Sequence, residues 1–276
     1  MPIGAARMPL FDHLGELRMR LVRIVVCLFI AVMIFYWATP TIGNILLLPV
    51  QEFLPLDANG NFAGLQAIDP FEAFATRFKI AIWASLVTCA PVILWQILAF
   101  FLPALKPKER KLFVPTFAAA VALFIVGTLF CYFFILNAAF QWLTSQTEGL
   151  GYLAPRMSSY IDTIVKFEIG FGVAFELPIV VFFLVIWEIV PYKKLRAQWR
   201  TVYVVLMVIS AMVTPDASPV TMMLLFAAMV AMYEVSLLIS RVLLRNKIKA
   251  QNDRIAAEEA EEAGTTLKKV KAVKKK

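Results

Sequence analysis

Long apolar runs, separated by short polar or proline-containing breaks, dominate the chain. Because a bilayer core about 30 Å thick requires about 20 mainly apolar residues per helix, such runs are typical of membrane-spanning helices. Four of them are long enough to cross, and they cover residues 21–38, 71–102, 112–138 and 161–190. The pattern therefore predicts an all-α polytopic membrane protein.

Two further runs, residues 201–215 and 217–233, are uncharged and are separated by the turn sequence TPDASP. At a rise of 1.5 Å per residue, about 15 residues reach only about 22 Å, which is less than the thickness of the bilayer core. We therefore expect helices five and six to be short and to form a hairpin that crosses only where the bilayer is thin.

Two longer breaks, residues 39–70 and 139–160, are predicted to be loops on one side of the membrane. Prolines such as Pro40 and Pro49 are expected to divide the first of them into short pieces. The second is rich in Gly, Ser and Thr.

The charge pattern sets the expected orientation. The chain has 27 Lys and Arg against 19 Asp and Glu, while 61% of its residues are hydrophobic and the mean hydropathy is +0.77. All but four of the basic residues fall on one side of the predicted spans; the exceptions are Arg77, Lys79, Arg156 and Lys166. By the positive-inside rule this predicts six transmembrane helices with both termini in the cytoplasm.

The C-terminal residues have a different composition. From residue 241 onward the chain contains EEAEEAG and KKVKAVKKK, which cannot bury a core. We therefore expect a six-helix integral membrane domain over residues 1–240 and a charged, disordered cytoplasmic tail over residues 241–276. Residues 268–276 either contact anionic lipid or remain solvated, and the second interpretation is favoured.

No pattern typical of catalysis is present. The only histidine is His13, the three cysteines are isolated, and no phosphate-binding loop or hydrolase-like order of residues occurs. We therefore expect no enzyme activity, no metal, no cofactor and no nucleic-acid partner.

Three carboxylates remain as candidates for chemistry. Glu16 is spaced to pair with Arg20 one helical turn later, and Glu109 lies in the basic stretch KPKERK. Either both are solvated partners of nearby arginines or both bind a ligand. Glu176 interrupts the fourth span, where a charge is costly, so it is expected to face the protein interior, as a structural carboxyl or as a functional group.

Three separated stretches together resemble the TatC family, the multispan receptor subunit of the twin-arginine protein translocase. They are HLGELRMR, APVILWQILAFFLPALKPKER and FGVAFELP, in this order, within a resemblance that covers residues 10–241. The resemblance implies a receptor in a bacterial-type cytoplasmic (inner) membrane that binds twin-arginine signal peptides of folded cargo. It also implies recruitment of TatA-like and TatB-like single-span subunits, self-association, contact with membrane lipid, and use of the proton gradient.

The resemblance also implies roles for individual residues. Glu16 and Glu109 match the two carboxylates that recognise arginine. Arg18 is expected to anchor the helix end or to orient Glu16, and Phe100 to shape the adjoining apolar surface. Partner-binding or intramembrane polar roles fall on Glu176, Thr214, Asp216 and Thr221, and a structural role falls on Pro49. The sequence departs from the family at DASPVTMM, where Thr221 is the nearest polar residue to a glutamine that relatives often carry.

Two other functions fit the same sequence. One is an ion-coupled secondary transporter of a small solute, with Glu176 as the coupling site, although no internal repeat supports it. The other is a structural membrane scaffold. A transporter would tolerate changes at Glu16 and Glu109, and a scaffold would give no signal-peptide crosslink near them.

Overall fold

The computed structural model describes residues 10–54, 64–102, 109–147, 149, 154–214, 218–245 and 247–254, without the side chains of residues 10–12 and 109. Within these ranges the regular secondary structure is helical throughout. The α-helices are α1 (Leu10–Leu47), α2 (Pro70–Phe100), α3 (Phe113–Phe130), α4 (Leu136–Ser145), α5 (Met157–Ala174), α6 (Leu177–Ile186), α7 (Tyr192–Ala197), α8 (Trp199–Val213) and α9 (Pro219–Leu243). Short 3-10 helices cover Leu48–Phe53 and Glu109–Leu112.

Among the described residues, five helical stretches are long and apolar enough to cross a membrane. They are His13–Phe53, Pro70–Phe100, Arg110–Ser145, Met157–Ile186 and Pro219–Leu243, and α8 is a shorter apolar helix. The four long runs of the sequence are therefore confirmed as helices. The predicted shortness of helix five is also confirmed, because α8 has 15 residues.

The predicted shortness of helix six is wrong. The helix after the TPDASP turn, α9, has 25 residues and continues ten residues beyond Tyr233, where the uncharged run ends. Glu234 does not end it, because its carboxylate accepts hydrogen bonds from Arg196 Nη1 at 2.7 Å and from the Tyr203 hydroxyl at 3.0 Å. The hydrogen bond to Glu234 also raises the pKa of the Arg196 guanidinium. A paired carboxylate is compatible with a continuing helix.

The prediction that Pro40 divides the loop after the first span is also wrong. Helix α1 continues through Pro40 to Leu47. Proline lacks the N–H that would bond the carbonyl four residues earlier, which is that of Tyr36. The Thr39 hydroxyl donates to this Tyr36 carbonyl at 2.8 Å, so the freed acceptor is satisfied and the helix can pass.

The third and fourth spans each contain an interruption. Between α3 and α4 the chain forms a π-helical turn over Cys131–Ile135. Between α5 and α6 the helix is interrupted at Phe175 and Glu176, directly before Pro178, which lacks a backbone donor. Glu176 therefore lies at a bend instead of within a straight helix.

Helix α5 lies at the centre of the packing. Phe167, Glu168 and Phe171 on this helix are almost fully buried. A Cβ at Gly127 of α3 would lie 2.8 Å from Phe175, and one at Gly172 of α5 would lie 2.9 Å from Phe124. Small residues at these two positions therefore let α3 and α5 approach closely.

The end of the bundle that holds Glu72 is tied together by polar contacts. Glu72 of α2 accepts hydrogen bonds from Arg156 Nε at 3.0 Å, from the Ser158 backbone N–H at 3.1 Å and from the Ile68 backbone N–H at 3.1 Å. Gln66 and Arg156 also form an isolated β-bridge. These contacts join α2, the segment before it and the start of α5.

Residues 247–254, beyond α9, are also helical, with Ile248 and Gln251 buried. The division of the chain into domains at residue 240 stays a prediction. Residues 255–276 lie outside the described residues.

Candidate functional site

The first candidate site lies where α1 and α2 pack antiparallel against each other. Arg20 of α1 donates from Nη1 to Gln96 Oε1 of α2 at 3.1 Å. Seven residues further along α1, the Cys27 thiol lies 3.5 Å from that of Cys89, which is seven residues before Gln96. Seven residues make about two turns of a helix, so residues seven apart lie on the same face. One face of α1 therefore stays in contact with one face of α2 over about 10 Å.

The Glu16 carboxylate is held from one side only. Its Oε1 accepts from Arg20 Nε at 3.0 Å and also from Arg20 Nη2, which confirms the pairing expected from the spacing. Its Oε2 is buried, and no described group donates a hydrogen bond to it. His13 Nδ1 is 3.8 Å from this oxygen, which is too far for a hydrogen bond. One carboxylate oxygen of Glu16 therefore keeps acceptor capacity.

Aromatic rings lie beside the carboxylate. The His13 ring stacks on Phe100 of α2 with ring centroids 4.2 Å apart and an interplanar angle of 15°. Phe100 contacts Phe101, and Phe101 contacts Trp187 at a centroid distance of 4.7 Å. Together the rings form an apolar surface that begins at Glu16.

The other predicted residues of this site are not all brought together. Arg18 is exposed, and because it lies two residues after Glu16 it points from a different face of α1. The side chain of Glu109 lies outside the described residues. Pro49 lies in the 3-10 helix Leu48–Phe53, far along the chain from Glu16.

The second candidate site is a cavity of about 430 Å³ lined mainly by apolar residues of α2, α5 and α6. Glu176 lines it, and its Oε1 is buried with no described hydrogen-bond partner. The Phe101 and Trp187 rings also line the cavity. The cavity thus adjoins the aromatic surface that begins at Glu16.

The polar residues of the α8–α9 hairpin make local contacts. Thr214 is buried, and its hydroxyl donates to the Ser210 carbonyl at 3.0 Å. Thr221 is buried as well, and its hydroxyl donates to the Ser218 carbonyl at 3.1 Å. Asp216 lies outside the described residues.

Sequence reasoning missed four residues near these sites. Gln96 contacts Arg20 and His13 contacts Phe100. The spacing of residues within one helix does not reveal such contacts between two helices. Gln96 does lie four residues before Phe100, on the same face of α2, and this spacing was the available signal. Trp187 was also missed, as was Glu168, another carboxylate of the fourth span, buried beside the Cys131 thiol.

Among the described residues, no three His, Cys, Asp or Glu side chains come close enough to hold a metal ion.

Comparison with known proteins identifies the family. The sequence profile of the family described as Sec-independent protein translocase protein (TatC) matches residues 12–227. The chain belongs to the TatC family. It is 34% identical to the TatC protein of Deinococcus radiodurans over 241 residues, which cover 87% of this chain and 88% of the relative. It is 30% identical to TatC of Aquifex aeolicus over 248 residues, covering 88% and 99% of the two chains.

The fold agrees with that of a solved TatC. A crystal structure described as the twin arginine translocase receptor TatC superposes with a TM-score of 0.71 and 29% identity, covering 83% of this chain and 98% of that chain. The family resemblance found in the sequence is therefore confirmed, as is an all-helical membrane protein related to protein translocases.

Proposed function

We propose that this TatC chain is the receptor of a twin-arginine translocase, in which Glu16 binds an arginine of the signal peptide. The observation that carries the proposal is the state of the Glu16 carboxylate, with one oxygen paired to Arg20 and the other buried without a described donor. A guanidinium presents several N–H donors in a planar fork and always carries a charge. The guanidinium of a bound signal peptide therefore supplies the hydrogen-bond donor that Glu16 Oε2 lacks.

The second arginine of the signal peptide is assigned to Glu109. Support comes from the segment after it, because the ring centroid of Phe113 at the start of α3 lies 5.2 Å from that of Trp95, the neighbour of Gln96. The segment that begins at Glu109 therefore approaches the end of α2 that contributes to the Glu16 site. Two carboxylates among many cations favour an arginine pair and repel peptides that lack the right geometry.

The apolar surface extends the site beyond the arginine pair. The residues of the signal peptide that follow the arginines pack on the stacked His13 and Phe100 rings. Arg18 orients the end of α1. Aromatic rings are well suited to this task, because they bury a large area with few rotatable bonds.

The cavity lined by Glu176 is proposed to receive the single span of a TatA-like or TatB-like subunit. Its lining is apolar apart from the buried Glu176 carboxyl, which can bond a polar group on that span. Partner binding is also assigned to the α8–α9 hairpin, where the buried Thr214 and Thr221 support the surface from within and Asp216 belongs to that surface. Pro49 shapes the opposite end of α1. We further propose six spans in the cytoplasmic membrane of a bacterial-type cell, with both termini in the cytoplasm and with self-association between copies.

Binding of a labelled twin-arginine peptide to the purified protein tests the receptor function. We expect Glu16→Gln to weaken binding by about ten- to a hundred-fold, because hydrogen bonds to charged groups contribute about 1.5–3 kcal/mol. A peptide with two lysines should bind weakly to the unchanged protein. Glu52→Gln, an exposed carboxylate near Pro49, is the matched control and should bind normally. Equal binding by the Glu16 and Glu52 variants would refute the proposal.

A further inference from the structure

A C-terminal arm, defined here as residues 247–254, folds back onto the end of α6. Lys247 Nζ donates to the Ile186 carbonyl, and Gln251 Nε2 donates to the Val185 carbonyl at 3.2 Å. Carbonyls in the last turn of a helix lack donors within the helix and need partners from outside it. Ile248 and Gln251 are buried in the contact. The arm therefore caps α6.

The same arm surrounds the Glu188 carboxylate with positive charge. Lys247 Nζ lies 3.8 Å from Glu188 Oε1, and Arg254 Nη1 lies 3.5 Å from Glu188 Oε2. Glu188 has a φ of 59°, and among the described residues it alone has a positive φ without being glycine. Such a conformation persists only where the surroundings fix it. The arm supplies ionic contacts that hold this turn.

The residue before this turn is Trp187, whose ring connects α6 to α2. The Trp187 ring stacks on Phe183 at 4.9 Å and contacts Phe101 at 4.7 Å. Phe101 in turn contacts Phe100, which stacks on His13 beside Glu16. A continuous series of ring contacts therefore joins the turn at Glu188 to the Glu16 site.

We propose that the C-terminal arm holds the signal-peptide site in its binding-competent form. The arm fixes Glu188, the turn at Glu188 sets the position of Trp187, and Trp187 supports the end of α2 that carries Gln96 and Phe100. Trp187 and Glu188 are positioning residues in this scheme, since they act through Phe101 and Phe100. The inference rests on the proposed function. It adds a means by which the C-terminal residues control peptide affinity.

The test is a matched pair of variants, Glu188→Asp and Glu188→Asn. Asp and Asn have the same shape and both tolerate a positive φ, but only Asp keeps the charge that attracts Lys247 and Arg254. We expect the Asp variant to bind the twin-arginine peptide as tightly as the unchanged protein, and the Asn variant to bind about five-fold more weakly. Equal affinity of the two variants would overturn the inference.

Two further measurements separate positioning from general stability. Arg254→Gln changes a side chain that is 68% exposed, so this variant should fold, and its peptide affinity should fall by about two-fold. Peptide binding should also shift the Trp187 fluorescence, identified as the emission lost in Trp187→Phe. An unchanged affinity in Arg254→Gln, or a Trp187 emission that does not respond to the peptide, would overturn the inference.

Failure of this inference is distinguishable from failure of the proposed function, because Glu16→Gln is measured in the same assay. Loss of binding in Glu16→Gln with equal affinity of the Asp and Asn variants refutes only the role of the arm. Normal binding in Glu16→Gln refutes the receptor function, and with it the role of the arm.

Discussion

Arg20 of α1 and Gln96 of α2 are separated by 76 residues in the chain but joined by a hydrogen bond of 3.1 Å. The Arg20 guanidinium is thereby shared between Gln96 and Glu16 Oε1. If Gln96 did not hold Nη1, the guanidinium could turn and pair with both oxygens of Glu16. The contact between the two helices therefore leaves the buried Glu16 Oε2 without a described donor.

This relationship predicts that Gln96→Leu weakens binding of the twin-arginine peptide. A net hydrogen bond contributes about 0.5–1.5 kcal/mol, so we expect a loss of about two- to ten-fold, because Arg20 then competes with the guest for Glu16. Gln96→Glu, which keeps an acceptor for Arg20, is the control and should bind at least as well as the unchanged protein. Anisotropy titration with a labelled peptide measures both, and equal loss in the two variants would contradict this account.

The contacts of Glu72 predict an effect on stability alone. Glu72→Ala removes the acceptor for Arg156 and for the backbone N–H groups of Ser158 and Ile68, so thermal unfolding in detergent should occur a few degrees lower. Glu52→Gln changes an exposed carboxylate and should leave the unfolding temperature unchanged. Peptide affinity of the folded Glu72 variant should remain normal, and a large loss would show that the two ends of the bundle are coupled.

The Cys27 and Cys89 thiols provide a test of the packing of α1 on α2. Their sulfur atoms are 3.5 Å apart, so a small membrane-permeant oxidant should join them within one chain. The product should have fewer free thiols and no increase in mass from a second chain. Cys131 is the internal control, since it should stay reduced. Failure to form this bond in protein that binds the peptide would contradict the contact between the two helices at this point.

Glu176 should affect partner subunits more than the signal peptide. Glu176→Gln replaces the carboxyl that lines the cavity with an amide of similar shape, and we expect cross-linking to a single-span partner to fall by about ten-fold while peptide binding stays normal. Glu168→Gln is the matched control, a buried carboxylate of the same span outside the cavity lining. Loss of solute uptake with unchanged partner contact would instead support a transporter.

The sequence predicted the helices well because apolar length is a local property. The prediction failed at Pro40 and Glu234, because hydrogen bonds to particular side chains determine whether the helix continues through each of them. The Thr39 hydroxyl satisfies the carbonyl that Pro40 frees, and Arg196 and Tyr203 bind the Glu234 carboxylate. None of these partners can be identified from a hydrophobic pattern, so both helices were predicted to end too early.

The candidate site was only partly predictable for the same reason. The Glu16–Arg20 pair follows from helical spacing within α1, and it was expected. The stacking of His13 on Phe100 and the bond from Arg20 to Gln96 depend on the register of α1 against α2. That register is a tertiary property, and no local pattern in either helix specifies it.

A signal peptide is expected to place its arginine pair against Glu16 and Glu109. The most direct measurement is photocrosslinking from a twin-arginine peptide that carries a photoreactive group next to the arginines, followed by mass spectrometry of the joined residues. We expect adducts in the stretch from His13 to Arg20 and around residue 109, both lost on competition with unlabelled peptide. Adducts confined to the end of the bundle near Glu72, or unaffected by replacing both arginines with lysines, would contradict the account.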